Sequence, residues 1–305
     1  MEENKKKIVE SVPNFSEGKD DKKIDLIVSE IKNTPNTRIV DVQYDSDYNR
    51  AVITFVGTPK AVLKANIKAA KKAIELIDMN MHKGQHPRIG AVDVVPFVPA
   101  QNVTMEECKE LSIKFAEEMA KEEIPVYLYE ESARKMERKN IDNIRKGEYE
   151  KLKEAIKIDP EKKPDFGPSE FHPTAGAIIT GARNPLISFN INLGTKEVRI
   201  AKEIAKAIHL NSGGLVNIKA MGTELKNRDY VQVGISNINF RKTPLYRQME
   251  LVRMEADRYG VPVISSELVG VLPLEAVLNS LEYYLKLRTP EKLKKKHLLE
   301  SYFDF

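Results

Sequence analysis

Residues 38 to 56 read RIVDVQYDSDYNRAVITFV, two β-branched runs separated by the polar turn QYDSDY at 43–48. Short β-branched runs on both sides of a polar turn are typical of neighbouring antiparallel strands. This stretch therefore predicts a strand pair at 38–42 and 49–56.

The segments on either side of this pair each predict one helix and one strand. Apolar residues recur at helical spacing in 24–31, and a second helical run from Pro59 to 77 begins with proline, which a first helical turn tolerates. Strands at 8–12 and 91–97 complete the order βαββαβ. A capping-box pattern at 104–107 then predicts a further helix, followed by another strand at 125–129.

The same order of elements returns after a proline-rich segment at 159–173. Strands are predicted at 186–193, 215–220, 230–238 and 261–265, with helices at 195–210 and 245–259. The repeated order predicts an α+β fold of two tandem ferredoxin-like βαββαβ lobes, each a sheet covered by helices, with the functional site between them. We place the N-terminal subdomain at 1–175 and the C-terminal subdomain at 176–305.

Composition and charge limit the function classes. The chain has 305 residues, 41% of them hydrophobic and 31% charged, with a formal charge of +4. So small an excess argues against a nucleic-acid-binding protein and is compatible with small anionic substrates. No apolar run approaches the roughly 20 residues that cross a bilayer, so no membrane association is expected. Cys108 is the single cysteine, which excludes an internal disulfide and predicts a cytoplasmic location.

The densest group of chemically active residues lies in 81–99, MHKGQHPRIGAVDVVPFVP. His82 and His86 are four residues apart, the spacing of helical zinc sites. However, Gly84 weakens a helix and Pro87 favours an extended conformation for His86, so the two rings are not expected to share a helix face. The sequence therefore argues against a metal site.

A histidine held extended before proline projects from a stiff loop, which suits a group that meets its substrate in a fixed geometry. With an ordinary pKa near 6.5, His86 could accept and return a proton at neutral pH. The alternative is that both histidines only hydrogen-bond the loop, and spacing leaves this open.

Other polar residues stand at predicted strand ends. Asn14 and Ser16 follow the first strand, and capping of the next helix is the simpler role for Ser16. Asn190 and Asn192 alternate within one strand, where an unpaired buried amide costs about 1–3 kcal/mol. Their partner is either a ligand or a structural network. The chain has no dinucleotide-binding glycine motif, P-loop or serine-hydrolase elbow.

Seven segments together resemble the glutamate formiminotransferases, which occur alone in bacteria and as the N-terminal part of the formiminotransferase-cyclodeaminase of animals. The resemblance spans nearly the whole chain. It rests on VPNFSEG at 12–18, NRAVITFVG at 49–57, HKGQHPRIGAVDVVPFVP at 82–99, PVYLYEESA at 125–133, DFGPSEFHPTAGA at 165–177, GARNPLISFNINL at 181–193 and VPVISSELVGVLPLEA at 261–276.

The resemblance implies a two-subdomain transferase, usually a homodimer, that binds folate in a crevice between the subdomains. The implied reaction transfers the formimino group of N-formimino-L-glutamate to tetrahydrofolate, a step of histidine breakdown, with tetrahydrofolate as co-substrate and no metal. The family's catalytic histidine, which directly precedes Pro-Arg, corresponds to His86. Its folate-contacting loop corresponds to Gly167, Pro168, Ser169, Glu170, Phe171, His172, Pro173, Thr174, Ala175 and Gly176.

The chain departs from the family at Gln43, where the animal enzymes usually carry an acidic residue. Any carboxylate needed there falls to Asp41 or Asp45. The implied mechanism has His86 take the proton of folate N5 and give it to the leaving nitrogen, while Asp41 or Asp93 stabilises the amidinium. Further candidates for substrate and folate binding are Asn49, Arg50, His82, Lys83, Arg88, Arg183, Asn190 and Asn192, the arginines because guanidinium groups bind carboxylates bidentately.

Two alternative functions remain open at the level of sequence. One is an ATP-dependent cyclo-ligase acting on 5-formyltetrahydrofolate with the same fold. The other is a folate-binding protein in which His86 has no catalytic role.

Overall fold

The chain divides into two units, Met1–Asn184 and Pro185–Phe305. The computed structural model describes residues 6–46, 48–84, 86–225, 228–287 and 292–302. The boundary lies after the predicted one at 175/176, which was wrong because residues Ile178–Ala182 form a strand of the first unit's sheet. The predicted subdomains 1–175 and 176–305 would cut this strand off from its partners.

The first unit is built around a mixed sheet of seven strands within the described residues. Its order along the chain is β1 (Ile8–Ser11), β2 (Asn14–Phe15), α1 (Asp21–Lys32), β3 (Thr37–Asp45), β4 (Arg50–Gly57), α2 (Pro59–Leu76), β5 (Val92–Gln101), α3 (Met105–Lys121), β6 (Val126–Leu128), α4 (Ile141–Arg145), α5 (Glu148–Ile158) and β7 (Ile178–Ala182).

Three helices of this unit begin at residues that are favourable at a helix N-terminus. The Asp20 side chain accepts hydrogen bonds from two main-chain N–H groups of α1, Pro59 occupies the first turn of α2, and Thr104 with Glu107 forms a reciprocal capping box on α3. The predicted capping box is therefore confirmed. Short stretches of 3₁₀ helix connect β6 to α4 and follow α5.

The strand pair predicted from 38–56 is present as β3 and β4, which pair antiparallel from Thr37 opposite Gly57 to Asp45 opposite Arg50. Strand β4 also pairs with β1 and β2, which in turn pair with β5. Strand β7 then adds in parallel to β5, and β6 in parallel to β7.

The two faces of this sheet differ in character. Ile53 and Phe55 of β4 lie in the apolar core with Ile27 of α1 and Val62 of α2. Because side chains alternate along a strand, Arg50, Val52 and Thr54 lie on the opposite face. Arg50 thus projects from the side of β4 opposite to the one that packs against α1 and α2.

The second unit has the order β8 (Ile187–Leu193), α6 (Val198–Ile208), β9 (Ile218–Glu224), β10 (Val231–Asn237), α7 (Leu245–Asp257), β11 (Val263–Val269) and α8 (Leu274–Tyr284). Its four strands lie in the order β11-β8-β10-β9, all antiparallel. Apolar residues of β8 and β10 pack against α6 and α7, and together they form a separate core.

The prediction of a mixed α+β protein with two helix-covered sheets is confirmed, but the first sheet is larger than a ferredoxin-like lobe. The prediction missed β7, because the run AIITGA between glycines reads as a connection. Among the described residues no helix is long and apolar enough to span a bilayer.

Candidate functional site

The loop between α2 and β5 carries both histidines and is not helical where it is described. Gly84 in this loop lies so close to the neighbouring hairpin that an added Cβ would be 2.2 Å from the Tyr48 carbonyl oxygen. Only glycine permits that approach. The prediction that the two histidines do not share a helix face is therefore confirmed. Over the described ranges, no three side chains of His, Cys, Asp or Glu converge in a group that could hold a metal ion.

His82 has both ring nitrogens engaged by the protein. Arg88 donates its Nε–H to Nδ1 at 3.3 Å, so the proton of the neutral ring is on Nε2, which lies 2.9 Å from the Asn49 carbonyl oxygen. Burial lowers the pKa of His82 below its ordinary value. The ring therefore ties the loop to the β3–β4 hairpin and has no nitrogen left for a substrate.

His86 has one nitrogen bound and the other open. Its Nδ1 lies 2.7 Å from Nη1 of Arg50 and 2.7 Å from the carbonyl oxygen of Pro87. Its Nε2 has no hydrogen-bond partner among the residues that the structure describes, and the Tyr48 ring stands edge-on to the imidazole at 6.3 Å. Burial, followed by the charges of Arg50 and Arg145, lowers the pKa of His86 to about 4. The ring is thus neutral at pH 7 and has one accessible nitrogen.

Asp93 lies beneath His86 and binds two guanidinium groups. Its Oδ2 accepts from Nη1 of Arg50 at 3.0 Å and from Nη2 of Arg145, and its Oδ1 accepts from the Ile89 main-chain N–H at 3.2 Å. Burial alone would raise the pKa of Asp93, but Arg145 and Arg50 outweigh it and hold the pKa below its ordinary value. The carboxylate is therefore ionised and fully used.

Arg50 spans the cluster. One Nη atom reaches Asp93 and His86, and the other donates to Oδ1 of Asn14. Burial lowers the pKa of Arg50 to about 10, so the group remains charged at pH 7. Two guanidinium groups and one carboxylate leave one net positive charge beside His86. Such a site favours an anionic group next to the open imidazole nitrogen.

The segment 172–177 is joined directly to the histidine loop by main-chain hydrogen bonds. Met79 N–H donates to the Thr174 carbonyl at 2.7 Å, Ala91 N–H to the Ala175 carbonyl at 2.8 Å, and Ala177 N–H to the Ile89 carbonyl at 3.1 Å. The C-terminal part of the predicted folate loop and the histidine loop therefore form one structure within the first unit.

Comparison with known proteins identifies the architecture that carries this cluster. Residues 8–183 match the family model described as "Formiminotransferase domain, N-terminal subdomain", and residues 188–302 match "Formiminotransferase domain". The chain belongs to the formiminotransferase domain family. The two matched ranges meet close to the division of the chain into two units at 184/185.

Curated relatives of this formiminotransferase-domain chain are similar over most of its length. It is 44% identical to the glutamate formimidoyltransferase of Streptococcus pyogenes, over 92% of this chain and 94% of that protein. It is 46% identical to the glutamate formimidoyltransferase of Thermoplasma acidophilum, over 92% and 93% respectively. It is 43% identical to the formimidoyltransferase-cyclodeaminase of Gallus gallus, over 92% of this chain and 53% of that longer protein.

Arg145 is the member of the cluster that sequence reasoning missed. It closes the short helix α4, 52 residues from its partner Asp93, in the stretch NIRKGE. Neither a motif nor a strand end marks this position. To find Arg145 from the sequence, one would have had to predict that Asp93 is buried and needs a second cationic partner.

Arg88 was predicted to bind a substrate carboxylate, and the structure gives it protein partners instead. Its Nη1 donates to Glu148 at 2.6 Å, its Nη2 to Glu150 at 2.6 Å, and its Nε to His82. All three nitrogens are engaged and the side chain is 8% exposed. In this arrangement Arg88 fastens α5 to the histidine loop.

Asn49 also has a structural position. It has a φ of 48° in the left-handed region that asparagine tolerates. Its Oδ1 accepts from the Gly18 N–H at 2.9 Å and its Nδ2 donates to the Lys83 carbonyl at 3.0 Å. Lys83 itself is exposed.

The predicted folate loop has a buried and an exposed part. Phe171 packs against Tyr149 at 5.7 Å between ring centroids and is buried, as is Ala175. Gly167, Pro168, Ser169, Glu170 and Pro173 are exposed. His172 accepts the Ala175 N–H at Nδ1, 3.1 Å away, which shapes the turn. The exposed residues are those available to a ligand.

Asp41, Asp45 and Arg183 are further candidates of the first unit. The carboxylate of Asp41 accepts from Nε2 of Gln43 at 2.6 Å, whereas Asp45 lies directly opposite Arg50 in the strand pair. Register therefore brings Asp45 nearer to the cluster than Asp41. Arg183 donates its Nη1–H to the Asn184 carbonyl at 2.9 Å, and its charge acts on Glu10 and Tyr129.

In the second unit Asn190 and Asn192 share one face of β8, as their spacing predicts. Asn192 is buried within a polar network. Its Nδ2 donates to Ser265 at 2.9 Å and to Glu267 at 3.2 Å, and its Oδ1 accepts from Gln232 at 2.9 Å. The structural-network interpretation of Asn192 thus has direct support.

Proposed function

We propose that this chain transfers the formimino group of N-formimino-L-glutamate to N5 of tetrahydrofolate, releasing glutamate and 5-formiminotetrahydrofolate. The observation that carries the proposal is a neutral imidazole with an open Nε2 beside a cluster of one net positive charge. Similarity to glutamate formimidoyltransferases over nearly the whole chain supports the choice of substrates.

The chemistry needs one group that both removes and delivers a proton. Folate N5 loses a proton as it attacks the amidine carbon, and the glutamate nitrogen gains one as it leaves. His86 Nε2 accepts the first proton, and the resulting imidazolium returns it to the leaving nitrogen. The lowered pKa of His86 makes that imidazolium a stronger acid than an ordinary one, which favours the second transfer.

Arg50 and Arg145 suit the α-carboxylate of the substrate. This carboxylate is attached to the carbon that bears the leaving nitrogen, so a group near His86 must also lie near it. A guanidinium binds a carboxylate through two parallel N–H···O bonds. Since Asp93 holds both arginines, its role in the proposal is to position them, and it does not stabilise the amidinium as the sequence suggested.

The exposed residues 167–170 and Lys83 are proposed to contact the folate, and Asp45 or Asp41 to face the amidinium. Binding of folate between the two units, ferredoxin-like lobes, a homodimer and a cytoplasmic location stay predictions from the family resemblance. Tetrahydrofolate serves as the one-carbon acceptor.

The test is turnover of the purified protein with N-formimino-L-glutamate and tetrahydrofolate, with product formation followed in the presence and absence of ATP. ATP-independent formation of 5-formiminotetrahydrofolate supports the proposal. Turnover of 5-formyltetrahydrofolate that requires ATP would instead indicate a cyclo-ligase, and folate binding without product would indicate a binding protein.

A further inference from the structure

Nδ1 of His86 has two partners that demand opposite protonation states. Arg50 Nη1 is a donor at 2.7 Å and needs a lone pair on Nδ1. The Pro87 carbonyl oxygen is an acceptor at 2.7 Å and needs a proton there. A neutral imidazole carries one proton, so only one of these bonds exists at a time.

The two bonds have different consequences at Nε2. When Arg50 donates to Nδ1, the proton of the neutral ring is on Nε2, and losing it would create an imidazolate. This tautomer cannot accept a proton at the open nitrogen. When Nδ1–H donates to Pro87, Nε2 carries a lone pair and the ring is a base. The proposed proton transfer therefore requires the second tautomer.

Arg50 has more N–H groups than its described partners use. Its guanidinium carries five N–H groups, of which Asp93, Asn14 and His86 take three. Within the described part of the chain, its Nε–H and one Nη2–H have no partner, and these donors are available to a carboxylate. The bond from Arg50 to Asp93 uses Nη1 and leaves these two donors free.

We infer that Arg50 is a positioning residue that selects the tautomer of His86: without substrate it donates to Nδ1 and keeps the proton on Nε2. When the substrate α-carboxylate binds Arg50, the guanidinium turns towards it, Nδ1–H bonds to the Pro87 carbonyl, and Nε2 becomes a base. This inference rests on the proposed function for the identity of the carboxylate, but the free-protein tautomer does not depend on it.

The physical consequence is that the base is formed only in the loaded site. Without substrate the imidazole is neutral but has no accessible lone pair. Binding of an anion both removes the competing donor and offsets the positive charge that opposes protonation of the ring. Recognition of the carboxylate is thus coupled to activation of the histidine.

The test is ¹⁵N NMR of protein labelled in its histidine rings at pH 7.5, where the two nitrogens of a neutral imidazole give separate signals for the protonated and unprotonated position. His86 is assigned by its loss in His86→Gln. The free protein should have the proton of His86 on Nε2. Addition of saturating N-formimino-L-glutamate without tetrahydrofolate should reverse the pattern, and Arg50→Met should reverse it without ligand.

Two controls separate this effect from general disturbance. His82 should keep its proton on Nε2 throughout, because Arg88 and Asn49 hold both nitrogens. Arg134→Met removes a guanidinium that stacks on Phe166 and should leave the His86 signals unchanged.

A proton on Nδ1 in the free protein would overturn the inference. So would retention of Nε2–H in Arg50→Met, or an unchanged tautomer in wild-type protein that binds the substrate. Turnover of the same preparation tests the proposed function separately, since the Arg50→Met arm uses no substrate.

Discussion

The two histidines of one loop, His82 and His86, differ in what the protein does with their nitrogens. His82 accepts from Arg88 and reaches the Asn49 carbonyl, so both nitrogens serve the fold. His86 is bound through Nδ1, and its Nε2 has no partner within the described part of the chain. Both residues are half-buried histidines of the same loop, but only His86 has a ring nitrogen left for chemistry.

The capacity for catalysis in this loop therefore depends on whether a ring nitrogen is left without a protein partner. A fully bonded histidine stabilises the structure, and its loss should be seen mainly in the free energy of unfolding. A histidine with one open nitrogen contributes little to folding through that side, and its loss should be seen mainly in turnover. Variants of the two residues and their partners test that separation.

His86→Ala should give the largest effect, a decrease of kcat by about 10²- to 10⁴-fold, because the group that moves the proton is gone. Tetrahydrofolate affinity should be nearly unchanged. Steady-state kinetics with N-formimino-L-glutamate, together with folate titration, measure both. A kcat within a few fold of wild type would remove His86 from the mechanism.

Asp93→Asn should be the next largest, with a loss of about 3–5 kcal/mol in the free energy of unfolding, because two buried guanidinium groups lose their counter-ion. Urea unfolding measures this loss. Turnover should fall as well, since Arg50 and Arg145 are no longer held beside His86. Unfolding at the wild-type urea midpoint would show that Asp93 does not hold the cluster.

His82→Ala should invert the pattern of His86→Ala. The Arg88 Nε–H and the Asn49 carbonyl lose their partner, which should cost about 1–3 kcal/mol in unfolding free energy. The kcat of the folded variant should fall by less than about tenfold, since no proton-transfer step is removed. If His82→Ala instead lost turnover as severely as His86→Ala while keeping its stability, the contrast between the two rings would be wrong.

The smallest effect concerns pH. The active form of His86 is neutral, and in the free protein its pKa is about 4, set by burial, Arg50 and Arg145 against the Pro87 carbonyl and Asp93. Activity, as kcat/KM, should therefore lose its His86-dependent part only as pH falls towards 4. Arg145→Gln removes one of the positive charges, so the acid limb should move to higher pH. A limb that stayed in place or moved down would contradict this electrostatic account.

The same pKa gives a sign for stability. The folded pKa of His86 lies below the ordinary value of 6.5, so between about pH 6.5 and pH 4 the unfolded chain binds more protons at this residue than the folded chain does. The contribution of His86 to the free energy of unfolding therefore decreases as pH falls through this window.

The sequence predicted the parts of the site that local chemistry sets. Gly84 and Pro87 argue against a helix in the histidine loop. The β-branched runs in 38–56 predict the pairing of β3 with β4. Arg145 and the Glu148–Arg88–Glu150 ion pairs were not predictable, because they depend on where α4 and α5 pack after a long connection. Strand β7 was missed because its pairing with β5 and β6 is non-local, and that error moved the predicted boundary.

Chemical rescue of His86→Gly, a variant that removes the ring and leaves space for a free imidazole, shows whether this imidazole moves the proton. Turnover of His86→Gly should rise with added imidazole, whereas wild type and His82→Gly should show no response. Near-normal turnover of His86→Gly without imidazole would contradict this prediction, because the proton would then be moved by another group.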